Sequence, residues 1–393
     1  MIKNTVIVSY ARTPLGSLNG SLSKLSAPEL GAAAIKGALD RSGIDRGLVN
    51  EVIMGCVLPA GLGQAPARQA AIFAGLPDSV EALTINKMCG SGLKAVMQAE
   101  QSILCGDSEI IIAGGMENMS QSPHYLLKSR EGIRFGHGKI VDSMIHDGLT
   151  DVYSNQLMGN CAEMCAKKFE FTRSDQDSFA QRSYTRSQQA ISDGAFDDEI
   201  IPVSVPQRKG DPIVVAHDEE PNNVSFKKMK LLRPAFDKDG TITAGNASTI
   251  NDGAAALVLM SENNAVNLGL KPIARIVSQA SAAHEPEWFT TAPISAINKA
   301  LQKADLSIQD IDLFEINEAF SVVTMAAEKS LGLDPEKVNI FGGAVSMGHP
   351  IGASGARIMC TLLNAMNKRQ VKRGMASICI GGGEASAVIV ERV

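Results

Sequence analysis

Four short segments of this chain carry side chains able to do nucleophilic or acid and base chemistry. Cys89 lies in Asn86-Lys87-Met88-Cys89-Gly90-Ser91-Gly92-Leu93, whose glycines permit a tight junction between a strand and a helix. A free thiol has a pKa near ~8.5, and about 2 kcal/mol of preferential thiolate stabilisation would bring it to about 7. A helix N-terminus plus one hydrogen bond can supply that, so Cys89 is a candidate nucleophile, although buried cysteines also occur for packing alone. His349 sits in Gly342-Gly343-Ala344-Val345-Ser346-Met347-Gly348-His349-Pro350-Ile351-Gly352-Ala353-Ser354-Gly355, a loop too glycine-rich to exist only for packing, and is a candidate general base. Its nearest rival among the histidines, His137 between Gly136 and Gly138, reads as a surface loop. Cys379 ends a strand-like run and precedes Gly381-Gly382-Gly383-Glu384, where backbone N–H groups are free to meet an oxyanion. Asn317, in Glu315-Ile316-Asn317-Glu318-Ala319-Phe320, offers a neutral amide donor after another strand. The His349 loop is not Gly-x-Gly-x-x-Gly and lacks the Lys-Ser/Thr of a nucleoside-triphosphate loop, so dinucleotide and triphosphate binding are disfavoured.

The elements that must bring these segments together appear twice. Ala27-Pro28 opens an apolar-periodic helix through Ile35, and Ala292-Pro293 opens another through Ile297, 262 positions later. Cys89-Gly90-Ser91-Gly92 and Gly352-Ala353-Ser354-Gly355 each head a helix, 263 positions apart at Gly92 and Gly355. Ile110 to Glu117 matches Ser377 to Glu384 at an offset of 267, which aligns Cys379 with Ile112. Each half alternates β-branched runs with helical patterns, which predicts βαβ units around a mostly parallel or mixed sheet. Ser26-Ala27-Pro28-Glu29 has capping-box spacing and Gly43 suits a C-terminal cap, so one helix should span about Ala27 to Ser42.

Composition narrows the class. The 393 residues allow two or three domains, with 45% apolar and 20% charged residues, as in a globular enzyme rather than a disordered or collagenous chain. A net charge of -5 gives no overall field for nucleic acid or an anionic membrane, and no apolar run approaches the ~18 residues of a membrane span. The run Thr5 to Tyr10 followed by Arg12 suits a first strand better than a signal peptide. Seven cysteines without a C-x-x-C pair indicate neither a disulfide framework nor a zinc site, and the expected location is cytoplasmic. Between Met119 and Ala247 charged residues are 34 of 129, against 45 of the other 264, which fits a more solvated insertion. Its cluster Arg208-Lys209, Lys227-Lys228-Met229-Lys230 and Arg233 could clamp a phosphorylated ligand or simply face solvent.

Taken jointly, the four segments resemble the thiolase family, in particular its acetyl-CoA acetyltransferase (acetoacetyl-CoA thiolase) branch, and the resemblance covers essentially the whole chain. It implies an α/β fold of duplicated βαβαβαββ halves in a five-layered α-β-α-β-α core with an inserted loop domain. The implied division is 1–118 plus 246–270 for the N-terminal half, 119–245 for the insertion, and 271–393 for the C-terminal half. It also implies that Cys89 is acylated, that His349 activates it, and that Cys379 is the acid and base at the substrate α-carbon. Asn317 would hold a water that joins His349 at the thioester enolate, while the N–H groups of Cys89 and Gly381 would hold the tetrahedral oxyanion.

The chemistry supports that set, since a Claisen condensation needs a sulfur that exchanges with the coenzyme A thioester, a second base, and an anion site. By the same resemblance Ser248 would contact pantetheine, with Leu149, Met158, Phe236, Ala319 and Phe320 along the tunnel and Lys228 near the nucleotide; packing alone would equally explain the apolar members. The implied partners are acetyl-CoA, acetoacetyl-CoA and coenzyme A, and the implied assembly is a homotetramer built through the Met119–Asp151 loops. No cofactor, metal, nucleic acid or membrane is called for, except that Ser183-Tyr184-Thr185-Arg186-Ser187 is similar to segments in which the Tyr joins a potassium site. Leu157 before Met158-Gly159, where biosynthetic bacterial members carry His, and Phe289, where many carry Met, leave the acyl-chain preference open. The alternative within the family is a degradative 3-ketoacyl-CoA thiolase of broader chain length. A ketosynthase would use one Cys and two His, which the third position, Cys379, disfavours. A non-catalytic lipid-binding relative and a Cys-His hydrolase are the remaining readings.

Overall fold

Strands covered on both faces need apolar residues at consecutive positions, whereas strands with one wet face alternate. The computed structural model describes residues 4–393, so residues 1–3 of the expected N-terminal half lie outside the described residues. Its main sheet contains β1 (Thr5–Arg12), β2 (Gly16–Ser17), β3 (Glu51–Gly55), β4 (Glu81–Ile85), β5 (Ile110–Asn118), β6 (Asn251–Ser261), β7 (Ala274–Ala283), β8 (Leu313–Ile316), β9 (Arg373–Ile380) and β10 (Glu384–Arg392). The order is β8-β9-β10-β7-β1-β6-β5-β3-β4, with short β2 on β6. The halves meet where β1 pairs with β7 through only Val6 and Ile7. The sheet is mixed: β3 is parallel to β4 and β5, and β8 to β9, while the other pairings are antiparallel.

Five layers follow from how the strands divide their side chains. Ile111 and Ala113 point inward to a central layer with Leu93 and Val96 of α3 (Ser91–Cys105) and Ile358 and Leu362 of a late helix, Ser354–Arg369. Their neighbours Ile110 and Ile112 point outward to Leu30 and Ile35 of α1 (Ala27–Ser42) and Ala70 of α2 (Pro66–Phe73). On the far side, Ala385, Ala387 and Ile389 pack on Ala296 and Ile297 of the helix Ala292–Ala304. The expected α1 forms with both capping-box bonds, Ser26 to the Glu29 N–H and the Glu29 carboxylate to the Ser26 N–H, and ends on Gly43 at φ 70°.

The expected insertion, 119–245, holds regular helices despite its polar composition. It carries α4 (Met158–Phe169) and α5 (Arg173–Ser192), so the late helices become α6 (Ala292–Ala304), α7 (Ser321–Leu331) and α8 (Ser354–Arg369). Arg12 joins it to β1: its fully buried guanidinium bonds the Glu199 carboxylate and, through two nitrogens at 2.7 and 2.9 Å, Asp218. Among the described residues, no helix is long and apolar enough to cross a membrane.

The duplication holds, with one correction. Helices α3 and α8 begin 263 positions apart, and so do β5 and β9, so Cys379 corresponds to Met116 and not to Ile112. The slip arises because similar glycine runs do different work. Gly114 and Gly115 lie inside β5, where an added Cβ would meet the Ala255 and Gly352 carbonyl oxygens at 2.1 Å. Gly382 and Gly383 instead form a turn at φ 92° and 80°.

Candidate active site

Cys89 stands one residue before the Gly90 cap of α3, half-buried, after Met88 in a left-handed conformation at φ 46°. The junction is pinned by Ser91, whose Oγ donates to the Met88 carbonyl at 2.6 Å and accepts the Lys87 N–H at 2.8 Å. Burial pushes the Cys89 thiol up to about 11, although the N–H groups of Gly381 and of Cys89 itself pull it down; nearby Glu117 pushes it up further. The thiolate expected from the helix N-terminus is therefore not the resting form, because desolvation outweighs the local dipoles. Attack by this sulfur requires a base at the moment of reaction.

His349 offers an unprotonated ring nitrogen. Burial, and then the charge of Arg357, push its pKa down to about 3, so the imidazole is neutral near pH 7. Its Nδ1 lies 2.6 Å from Ser354 Oγ, and that hydroxyl already donates its proton to the Pro350 carbonyl at 2.9 Å. Ser354 must then accept from Nδ1–H, which leaves the lone pair on Nε2. Nε2 is buried and has no hydrogen-bond partner. The His349 main chain is held by Asn251 Oδ1 at 2.9 Å, and the Gly352 N–H by the Glu117 carboxylate at 2.8 Å. Glu117 also accepts from the Val57 and Leu58 N–H groups and the Cys56 thiol; burial nonetheless raises it to about 7.

Asn317 follows β8 and is fully buried, its N–H bonded to the Ser377 carbonyl. Arg357 Nη2 donates to its Oδ1 at 3.4 Å, and Nδ2 has no partner. A guanidinium only donates, so Arg357 orients the amide with its donor end free. Arg357 is itself buried opposite Glu315, 3.6 Å away. Cys379, fully buried near the end of β9, has its thiol raised well above the ordinary value, by burial first and the neighbouring Cys89 second.

The structure thus gathers Cys89, Gly381 and Cys379, and the charge of Arg357 links His349 to Asn317. The profiles of the thiolase N-terminal and C-terminal domains match residues 5–263 and 270–392. The chain belongs to the thiolase family. It is 54% identical over 390 residues to the acetyl-CoA acetyltransferase of Cupriavidus necator, covering 99% of each chain. Among solved structures, it superposes on the Bacillus anthracis acetyl-CoA acetyltransferase with a TM-score of 0.97 at 42% identity, covering 100% of this chain and 99% of that one. The Ascaris suum Acat5 thiolase in complex with coenzyme A gives 0.95 at 45% identity, with full coverage of both. As a thiolase, the chain is an acyltransferase enzyme.

Of the residues that thiolase resemblance marks for substrate binding, Met158, Phe236, Ala319 and Phe320 share one apolar cluster with Cys379 and Phe289. Phe320 is the hub, with ring centroids 6.0 Å from Phe236 and 6.3 Å from Phe289. Leu149 lies apart from them, in the cluster that reaches Cys89. Ser248 Oγ donates to the Ala319 carbonyl at 2.8 Å, and Lys228 is exposed on the short helix Phe226–Met229. Tyr184 is buried against Phe226 and Val345, beside Ser183, which bonds Glu318. The sequence reading missed Ser354, Arg357, Asn251 and Glu315 as supports of the site. Glu315 alone left a signal, a carboxylate inside the otherwise apolar strand Leu313–Ile316.

Proposed function

We propose that this chain is an acetyl-CoA C-acetyltransferase that reversibly condenses two acetyl-CoA into acetoacetyl-CoA and coenzyme A. Cys89 attacks the first thioester while His349 Nε2 takes its proton, and the Cys89 and Gly381 N–H groups hold the oxyanion. The departing coenzyme A thiolate takes the proton of Cys379. This leaves acetyl-Cys89 with a Cys379 thiolate and a His349 imidazolium. The thiolate then removes an α-proton from the second acetyl-CoA, and His349 with the free Nδ2 of Asn317, through a water, supports the enolate oxygen. The α-carbon attacks acetyl-Cys89, whose sulfur recovers its proton from His349. Coenzyme A leaves with the proton first held by Cys379, Cys379 keeps the one taken from the second acetyl-CoA, and every protein group regains its starting protonation state, so the cycle calls for no cofactor beyond coenzyme A as substrate and product.

The observation that carries this reading is a neutral His349 with an unpartnered Nε2, together with two sulfurs that are both protonated at rest and adjacent. The likeness to the acetyl-CoA acetyltransferases of Cupriavidus necator and Bacillus anthracis favours the acetyl reaction over a longer-chain degradative one. Ser248, Lys228, Leu149, Met158, Phe236, Ala319 and Phe320 are assigned to coenzyme A and the acyl group in the same reading. So are the division of the chain into two halves and an insertion, a cytoplasmic location and a homotetramer. Exposed Leu127, Ile133, Phe135 and Ile140 in the Met119–Asp151 loops support the assembly.

Incubation with acetyl-labelled acetyl-CoA should acylate Cys89, and Cys89→Ser should lower turnover by at least about 10³-fold. Label on another residue would overturn the assignment. With Cys379→Ser, acylation of Cys89 should persist while exchange of the acetyl α-protons with solvent stops; equal loss of both steps would remove Cys379 from its role.

A further inference from the structure

The oxyanion site joins N–H groups from two loops in different halves of the chain, those of Cys89 and Gly381. Neither loop is stiff by its own composition. Gly382 and Gly383 turn at positive φ, and Met88 holds a left-handed conformation that a non-glycine residue keeps only where its surroundings enforce it. Gly90 packs on Ile380, where an added Cβ would meet Cδ1 at 2.4 Å, but an apolar contact resists approach and not sliding. A directional link is also present: Lys87 Nζ pairs with the Glu384 carboxylate, two residues before Cys89 and three after Gly381. Both charges are mounted on fixed backbone. The Lys87 N–H is bonded to Ser91 Oγ, and Glu384 starts β10 in register with Ile380 and Ala283. Their side chains are 23% and 36% exposed, so water screens the pair only in part.

We propose that Lys87 and Glu384 are positioning residues, whose ion pair sets the spacing of the Cys89 and Gly381 loops and thereby the geometry of the oxyanion site. The proposal rests on the reading of Cys89 as the acylated nucleophile and names what aligns it. A displacement of ~1 Å at such a site can cost on the order of 10²-fold in rate, far more than an exposed pair contributes to folding.

Charge reversal tests this with little risk to the fold. Single-turnover acylation by acetyl-CoA would be compared in the wild-type chain, Lys87→Glu, Glu384→Lys and the exchanged double variant; Lys94, which feels both charges, is kept throughout. Each single reversal should slow acylation by about tenfold or more while KM stays within about twofold. The exchanged pair should recover most of the rate, and thermal midpoints should agree within about 2 °C. A field acting directly on the sulfur predicts something else: Lys87→Glu would disfavour the thiolate and Glu384→Lys would favour it. Opposite effects of the two reversals, wild-type rates in both, or losses that the exchange fails to recover would each overturn the clamp. A wild-type chain not acylated at Cys89 would overturn the earlier reading and the clamp with it.

Discussion

The two helix junctions at the centre of the molecule are copies of one device put to different use. At α3, Ser91 Oγ donates to the Met88 carbonyl and accepts the N–H of Lys87, so the serine ties down the loop that carries Cys89. At α8, Ser354 Oγ donates to the Pro350 carbonyl and meets Nδ1 of His349, so the same hydroxyl selects a tautomer. Even the contact between the junctions is reciprocal. A Cβ on Gly92 would meet the Ala356 N at 2.7 Å, and one on Gly355 would meet the Leu93 N at 2.2 Å. Duplication thus supplied two helix ends that keep Ser91 and Gly92 opposite Ser354 and Gly355, while the neighbouring residues diverged so that one end carries Cys89 and the other His349.

That comparison can be attacked first at the contact. Gly355→Ala should cost about 3 kcal/mol or more, since the new methyl meets backbone that cannot step aside. Denaturant unfolding measures this, and a loss under about 1 kcal/mol would show that the two helix ends are not tightly joined.

The second test separates the roles of the serines. Ser354→Ala should lower kcat for condensation by about 10-fold or more, because His349 loses the partner that keeps the proton on Nδ1. Ser91→Ala should instead show mainly as a stability loss of about 1 kcal/mol. Equal kinetic effects would erase the distinction.

A third test is pH dependence. His349 titrates near 3 when folded and near ~6.5 when unfolded, so between those values the unfolded chain binds the extra proton. Stability from this group is complete above about pH 6.5 and is lost as pH falls toward 3. Relative to His349→Asn, the wild-type chain should lose about 1 kcal/mol per unit between pH 6 and pH 4. Parallel stability curves for the two would mean that the imidazole is not held neutral.

Much of this architecture could be read along the chain. The capping box at Ser26 and Glu29, the apolar β5, and the repeated helix openings depend on residues close in sequence, so their signal is local. Cys89, His349, Cys379 and Asn317 stood out because each is a reactive type in an unusual local setting. The resting protonation of those groups was not legible: dipoles at a helix N-terminus argued for a thiolate at Cys89, and only the surrounding layers show that burial prevails. Nor could pattern matching tell the strand glycines Gly114 and Gly115 from the turn glycines Gly382 and Gly383, because the difference lies in which backbone passes opposite. Sequence by itself determined the elements and the reactive side chains, since these follow from short-range spacing and chemical type. Tertiary structure decided the tautomer of His349, the orientation of Asn317 by Arg357, and the meeting of Lys87 with Glu384, because electrostatics and hydrogen bonding depend on distance in space.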